Sequence, residues 1–159
     1  MKPRLSEWAS IAEIIGTVAV VVSLLFVVRS VDQNTRVIES AEASKIWDAW
    51  RSVAVLPVMT DGELATIAAK VASSESLSAA EKLQWNRYLA AQIDVWAQLY
   101  DSHTHGLIGS DYWAYWNSGF WRLWVENGYN DIFQSRRDFY DPSFRNYIDQ
   151  QLAERSEIQ

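Results

Sequence analysis

The chain predicts an all-α protein: one amino-terminal transmembrane helix that continues into a small helical bundle domain. Two observations lead there and a third excludes the alternative. Ile14 to Val28 is a 15-residue run without charge in which eleven residues are Ile, Val, Leu or Phe. After it, apolar residues recur at helical spacing between clear start and stop signals. No stretch alternates apolar and polar residues as a half-buried strand would. The reading divides the chain into an anchor over 1–29, a juxtamembrane helix over 30–57 and a soluble helical domain over 58–159.

Trp8 to Val28 is 21 residues, about 31 Å of helix, close to the ~30 Å hydrocarbon core of a bilayer. The eleven large apolar residues favour insertion by roughly 5 kcal/mol in total, and Glu13, only a turn or so inside the edge, opposes them weakly. Trp8 suits one interface and Arg29 the other. Lys2 and Arg4 resemble the charged start of a signal peptide, but Arg29-Ser30-Val31-Asp32 offers no small-x-small cleavage site. An uncleaved anchor is therefore expected. Lys2 and Arg4 on one flank oppose Arg29, Arg36 and Lys45 on the other, a slight bias toward a cytoplasmic carboxy-terminal domain.

Ala9, Ala12, Gly16, Ala19 and Ser23 recur along this helix at spacings of three and four, with Glu13 and Thr17 at the border. Small residues in such a row let two helix backbones approach closely in lipid. This face is the expected helix-packing interface, toward a copy of itself or another subunit, and Glu13 would face that interface or a wet cavity. The plainer alternative is that Ala and Gly are common in such helices. A proton or ion path through Glu13 is the more remote one.

The first 29 residues hold Glu7 and Glu13 against Lys2, Arg4 and Arg29; the remaining 130 carry 18 acidic and 11 basic residues, about −7. Such a domain does not bind nucleic acid through bulk charge. With no cysteine, disulfides and thiolate metal sites are excluded.

Past Arg29, Ser30 to Leu56 has no Gly or Pro, and Ile38, Ile46, Ala49, Val53 and Leu56 keep an approximate helical spacing. One long helix is expected, with Asp32–Thr35 the place for a kink or break and Pro57 as its end. Thr60-Asp61-Gly62-Glu63 opens a short helix to about Val71. Ser78 with Glu81 forms a capping box. The helix it starts places Trp85, Tyr88, Leu89, Ile93, Trp96, Leu99 and Tyr100 on one face, and Gly106 closes it. Ser110 or Asp111 caps the next helix, which reaches Asn127 and stops at Gly128. Ile132 to Tyr140 suggests a further turn or two. Asp141-Pro142 is an N-cap followed by proline at the first helical position, and Phe144, Tyr147, Ile148 and Leu152 form the inner face of the last helix.

This layout resembles a group of uncharacterised single-pass bacterial membrane proteins. Their pattern begins with Trp, passes through an apolar helix with a Ser-Leu pair and ends in Gln-Asn-Thr-Arg. Here those positions are Trp8, Ser23-Leu24 and Gln33-Asn34-Thr35-Arg36, and Pro142-Ser143-Phe144 also looks similar. The resemblance implies an anchor in the bacterial cytoplasmic (inner) membrane with a helical domain, and supplies no activity, ligand or catalytic residue.

Trp113, Trp116, Trp121 and Trp124 fall within twelve residues, joined by Tyr112, Tyr115 and Phe120. Trp113, Trp116, Phe120 and Trp124 fit one helical face; Trp121 does not. A helix aromatic nearly all round is buried, rests at an interface, or contacts a subunit or ligand. These residues, Trp121 included, are candidates for partner or ligand contact, against the plainer reading of an aromatic core. A flat apolar ligand would be a pigment or quinone. Trp47 and Trp50 lie roughly 30 Å of helix past Val28 and belong to the domain.

His103 and His105, near Asp101 and Asp111, are too few for a zinc centre without carboxylates, and no metal or cofactor is expected. Arg122, Arg136, Arg137 and Arg145 interleave with Glu126, Asp138 and Asp149, which predicts ion pairs rather than an anion site. No Ser lies in a Gly-x-Ser-x-Gly elbow and no catalytic dyad is arguable. The expectation is a non-catalytic structural or accessory subunit of a homo-oligomer or larger membrane complex. The alternatives are a membrane-anchored module for a flat apolar ligand, or an oligomeric channel using Glu13.

Overall fold

The computed structural model describes residues 5–156. The described residues are all-α, without a strand. The chain divides into two compact units, Met1–Glu39 and Ser40–Gln159.

The first unit is helical from Leu5 onward, the start of helix α1 (Leu5–Trp50). Its side chains from Ser10 to Ile38 are all exposed, the apolar run included. The helix is unbroken through Asp32–Thr35, where Thr35 Oγ1 donates to the Val31 carbonyl at 3.1 Å. Among the described residues one helix, near the amino terminus, is long and apolar enough to cross a membrane.

The second unit contains the last turns of α1, a π-helical turn (Arg51–Val55) and helices α2 (Leu56–Thr60), α3 (Gly62–Ala72), α4 (Ala79–Thr104), α5 (Ser110–Asn127), α6 (Tyr129–Ser135) and α7 (Pro142–Ser156), with a 3₁₀ turn at Arg137–Phe139. Pro57 does not end the helix as expected. In α geometry its ring would meet the carbonyl four residues back. The π turn opens the ladder just before it, with Leu56 N–H donating to the Arg51 carbonyl. Helical structure then resumes as α2 and stops at the extended residue Asp61. Inside the π turn the Ala54 carbonyl accepts a hydrogen bond from Tyr88 Oη of α4 at 2.9 Å. The widened turn also shifts the inward register. Ile46 is buried and Ala49 and Val53 pack on the core, whereas Leu56 is exposed, as is Ile38 further back.

Local signals set most helix ends. Asp61 Oδ1 accepts from Glu63 N and Leu64 N at 2.9 and 3.2 Å. Ser78 and Glu81 form the reciprocal box, at 2.8 and 3.3 Å. At the end of α4, Leu107 N donates to the Ser102 carbonyl and Gly106 N to the His103 carbonyl, the paired bonds of a Schellman stop. Gly106 takes φ +69°, which glycine adopts without strain. Lys70 to Glu75 repeats that stop, with Ser74 in the left-handed position at φ 57°. One expectation changes: α5 is capped by Gly109 in extended conformation, not by Ser110 or Asp111. Asp111 instead lies in the first turn, where its charge suits the helix dipole.

The core centres on Trp96 of α4, fully buried among Phe120, Trp121 and Trp124 of α5 and Phe144 and Tyr147 of α7, with ring centroids 5.0–6.5 Å apart. Tyr129, Phe133, Tyr140, Ile93, Leu99 and Ile148 complete it. Burial pushes the Tyr140 hydroxyl up to about 12, with the Asp94 carboxylate beside it adding to the shift.

Candidate functional site

The aromatic helix α5 divides its side chains between core and surface. Phe120, Trp121 and Trp124 are buried; Trp113 and Trp116 are half-buried. Trp121, off the face expected from spacing alone, is enclosed because α5 packs on α7 as well as on α4. Its Nε1 donates to Tyr147 Oη at 3.3 Å, and the Arg155 guanidinium stacks over its ring at 4.6 Å.

The surface of the second unit carries an aromatic groove of about 400 Å³. Trp47 and Trp50, one helical turn apart, form one wall. Tyr115, Gly119 and Arg122, at helical spacings of four and three on α5, form the other, with Trp116 and Phe120 below. Trp116 joins the walls: its ring lies 5.7 Å from both Trp47 and Trp50, at 58° and 70°. Trp47 remains 51% exposed and Tyr115 75%. These rings present apolar faces to a shallow, open concavity, and Arg122 makes no ion pair among the described residues.

Of the five expected contact residues the groove is lined by two, Trp116 and Phe120. Trp113 lies elsewhere, stacked face to face on His103 at 5.0 Å and 3°. Sequence reasoning did not single out Trp47, Trp50, Tyr115 and Arg122 as groove residues. The available signal was the i, i+3 spacing of the two tryptophans, and nothing in α5 itself indicated which of its faces they would meet.

On α1, Ala12, Glu13, Gly16, Ala19 and Ser23 are exposed; the side chain of Ala9, and Lys2 and Arg4 altogether, lie outside what the structure describes. A side chain built on Gly16 would meet nothing within 4 Å. The hydroxyls of Thr17 and Ser23 donate to the carbonyls four residues back, at 2.9 and 2.8 Å.

His103 and His105 diverge. His105 Nδ1 lies 3.2 Å from an Asp101 carboxylate oxygen, while His103 is taken by Trp113. Among the described residues no three His, Asp or Glu side chains are grouped to hold a metal ion. Of the late arginines, Arg137 forks onto Asp149, Arg136 reaches Asp94 at 3.3 Å and Arg145 reaches Asp138 at 3.6 Å.

Comparison with family models, curated proteins and solved structures gives no match for this chain. The structure carries the coarse layout of the resemblance at Trp8, Ser23-Leu24 and Gln33–Arg36: a long apolar amino-terminal helix followed by a helical domain.

Proposed function

We propose that this chain is a non-catalytic, single-pass protein of the bacterial inner membrane that acts as a structural or accessory subunit of a homo-oligomer or larger membrane complex. One observation carries the reading: among the described residues, the apolar run from Ile14 to Val28 is exposed along its whole length. In water such a surface is strongly unfavourable, and a bilayer removes the cost. Within lipid, Ala12, Gly16, Ala19 and Ser23 form the row along which another backbone approaches closely, and Glu13 beside it turns toward protein. The helical domain is then displayed at the membrane surface, on the cytoplasmic side by the flanking charges.

The test begins in the native membrane. The full chain should resist alkaline extraction, keep the apolar segment and leave mild detergent as a complex larger than a monomer. Gly16→Leu with Ala19→Leu should dissociate that complex. A monomer indifferent to both changes overturns the subunit reading, and removal of residues 1–29 by processing overturns the anchor.

The groove favours a second reading, a membrane-anchored binding module for a flat apolar ligand such as a pigment or quinone. Trp47, Trp116 and Tyr115 offer ring faces for stacking. It predicts an extractable absorbing molecule that co-purifies from native membranes and is lost in Trp47→Ala. Clean protein spectra from native membranes remove this reading.

A further inference from the structure

We infer that a stripe on α1 through Val20, Leu24, Val27, Val31, Asn34 and Ile38 is a parallel seam with a second copy of this chain, and that Asn34 sets its register. The inference deepens the self-association reading and rests on it.

The six positions are spaced by four and three in alternation, the heptad spacing that keeps one helix edge facing a partner. The five apolar members are between 53% and 60% exposed, and Asn34 is exposed as well. Inside the apolar run this pattern is uninformative, because lipid-facing positions are apolar too. It becomes informative past Arg29. From Ser30 to Glu39 the only large apolar residues are Val31, Val37 and Ile38. At about 100° per residue, Val31, Asn34 and Ile38 fall on one side, and Arg29, Asp32, Gln33 and Arg36 on the opposite side. The polar stretch is thus amphipathic, and its apolar edge continues the line of Leu24 and Val27.

The charge pattern selects a second copy as the occupant. The positions flanking the seam are Val21, Ser23, Val28, Ser30, Thr35 and Val37, none of them charged. Between Val20 and Ile38 two copies inserted in the same direction therefore meet without like-charge conflict, while a strongly charged partner finds no counter-charge there; Glu13, seven residues before Val20 on the same line, lies outside this stretch. Asn34 points the same way. Its carboxamide makes no hydrogen bond among the described residues. Carrying both donors and an acceptor, it is complementary to itself across a two-fold axis. Only a copy at the same depth presents that group opposite it, and a polar residue within an apolar seam fixes register in this way. The small-residue row of Ala12, Gly16, Ala19 and Ser23 lies on the adjacent edge of the same side, so both contacts fit one helix pair.

The chain has no cysteine, which makes single-cysteine crosslinking clean. Each position from 29 to 38 is replaced by Cys in turn in the full-length protein, oxidised in its native membrane and scored for covalent dimer. Val31→Cys, Asn34→Cys and Ile38→Cys should crosslink several-fold more than Arg29→Cys, Gln33→Cys and Arg36→Cys. An oligomer whose crosslinks lack this periodicity, or peak on the charged side, overturns the seam and leaves self-association standing. A chain that is monomeric throughout overturns both. Asn34→Leu should keep the dimer but spread crosslinking to neighbouring positions; a pattern as sharp as before removes Asn34 from the register role.

Discussion

Trp96 donates its indole N–H to the side-chain oxygen of Asn117 at 3.1 Å, at the junction of α4 and α5. The same oxygen accepts from Tyr147 Oη of α7 at 2.8 Å, and that hydroxyl accepts from Trp121 Nε1. Four side chains from three helices thus satisfy one another inside an aromatic core. A buried indole N–H without an acceptor is unfavourable, so Asn117 allows Trp96 to occupy the centre.

Asn117→Ala should destabilise the helical domain by about 1–3 kcal/mol, because it leaves the buried Trp96 N–H without its acceptor. Near-UV circular dichroism of the full chain in detergent, followed through thermal unfolding, measures it. A loss within about 0.5 kcal/mol of an ordinary surface change would mean that water replaces the carboxamide.

Ile46 and Ile38 lie on the same helix with opposite fates, 2% and 53% exposed. Ile46→Ala should cost the domain about 2–5 kcal/mol through the cavity it leaves. Ile38→Ala should leave domain unfolding unchanged within about 0.5 kcal/mol. Equal effects in a dilute monomer would contradict the exposure of Ile38.

Two left-handed positions give a matched pair. Gly128 joins α5 to α6 at φ +68°, so Gly128→Ala should cost about 1–2 kcal/mol from backbone strain alone, as nothing lies within 4 Å of the added carbon. Ser74 adopts φ 57° at the end of α3, so Ser74→Gly should be neutral or stabilising by up to about 1 kcal/mol. Denaturant midpoints of the two variants shifting in the same direction would refute the argument.

Glu81 sets a pH dependence. Hydrogen bonds from Lys70, at 2.5 Å, and from Ser78 lower its pKa from 4.5 to about 2. A carboxyl held below its unfolded value adds stability that is complete above about pH 5 and is lost as pH falls toward 2. Glu42, Asp141 and Asp149 are also lowered, through bonds from Ser102, Ser143 and Arg137 respectively, and add to the same acid limb. The melting temperature of Glu81→Gln should lie below that of the wild type near neutrality and converge on it in acid. Parallel curves from pH 6 to pH 2 would exclude the contribution of Glu81.

The fold was legible where the signals are local. Asp61, the Ser78–Glu81 pair, Gly106, Gly128 and Asp141-Pro142 each mark a helix end with their own side chain or backbone freedom, and all of these ends lie where the sequence places them. Pro57 misled because the loss of its N–H admits two outcomes: the helix stops, or it widens by one residue. Tyr88 meets the carbonyl of Ala54 inside the widened turn, 34 positions away from it, and no window of sequence around Pro57 contains that contact. The groove was least legible, since it requires Trp47 and Trp116 to meet.

Residue order by itself determined that the protein is helical, where most of its helices begin and end, and that one of them is apolar enough to enter a bilayer. Those properties depend on hydrogen bonds and periodicities spanning only a few residues. Tertiary structure alone decided which aromatic residues are enclosed. Trp121 is off the face predicted from spacing yet buried, and Tyr115, on the same helix, is exposed. The burial of a side chain on an aromatic helix depends on how many neighbours surround that helix. α5 is flanked by α4, α7 and the end of α1, and their arrangement is a property of the packed bundle rather than of any single segment.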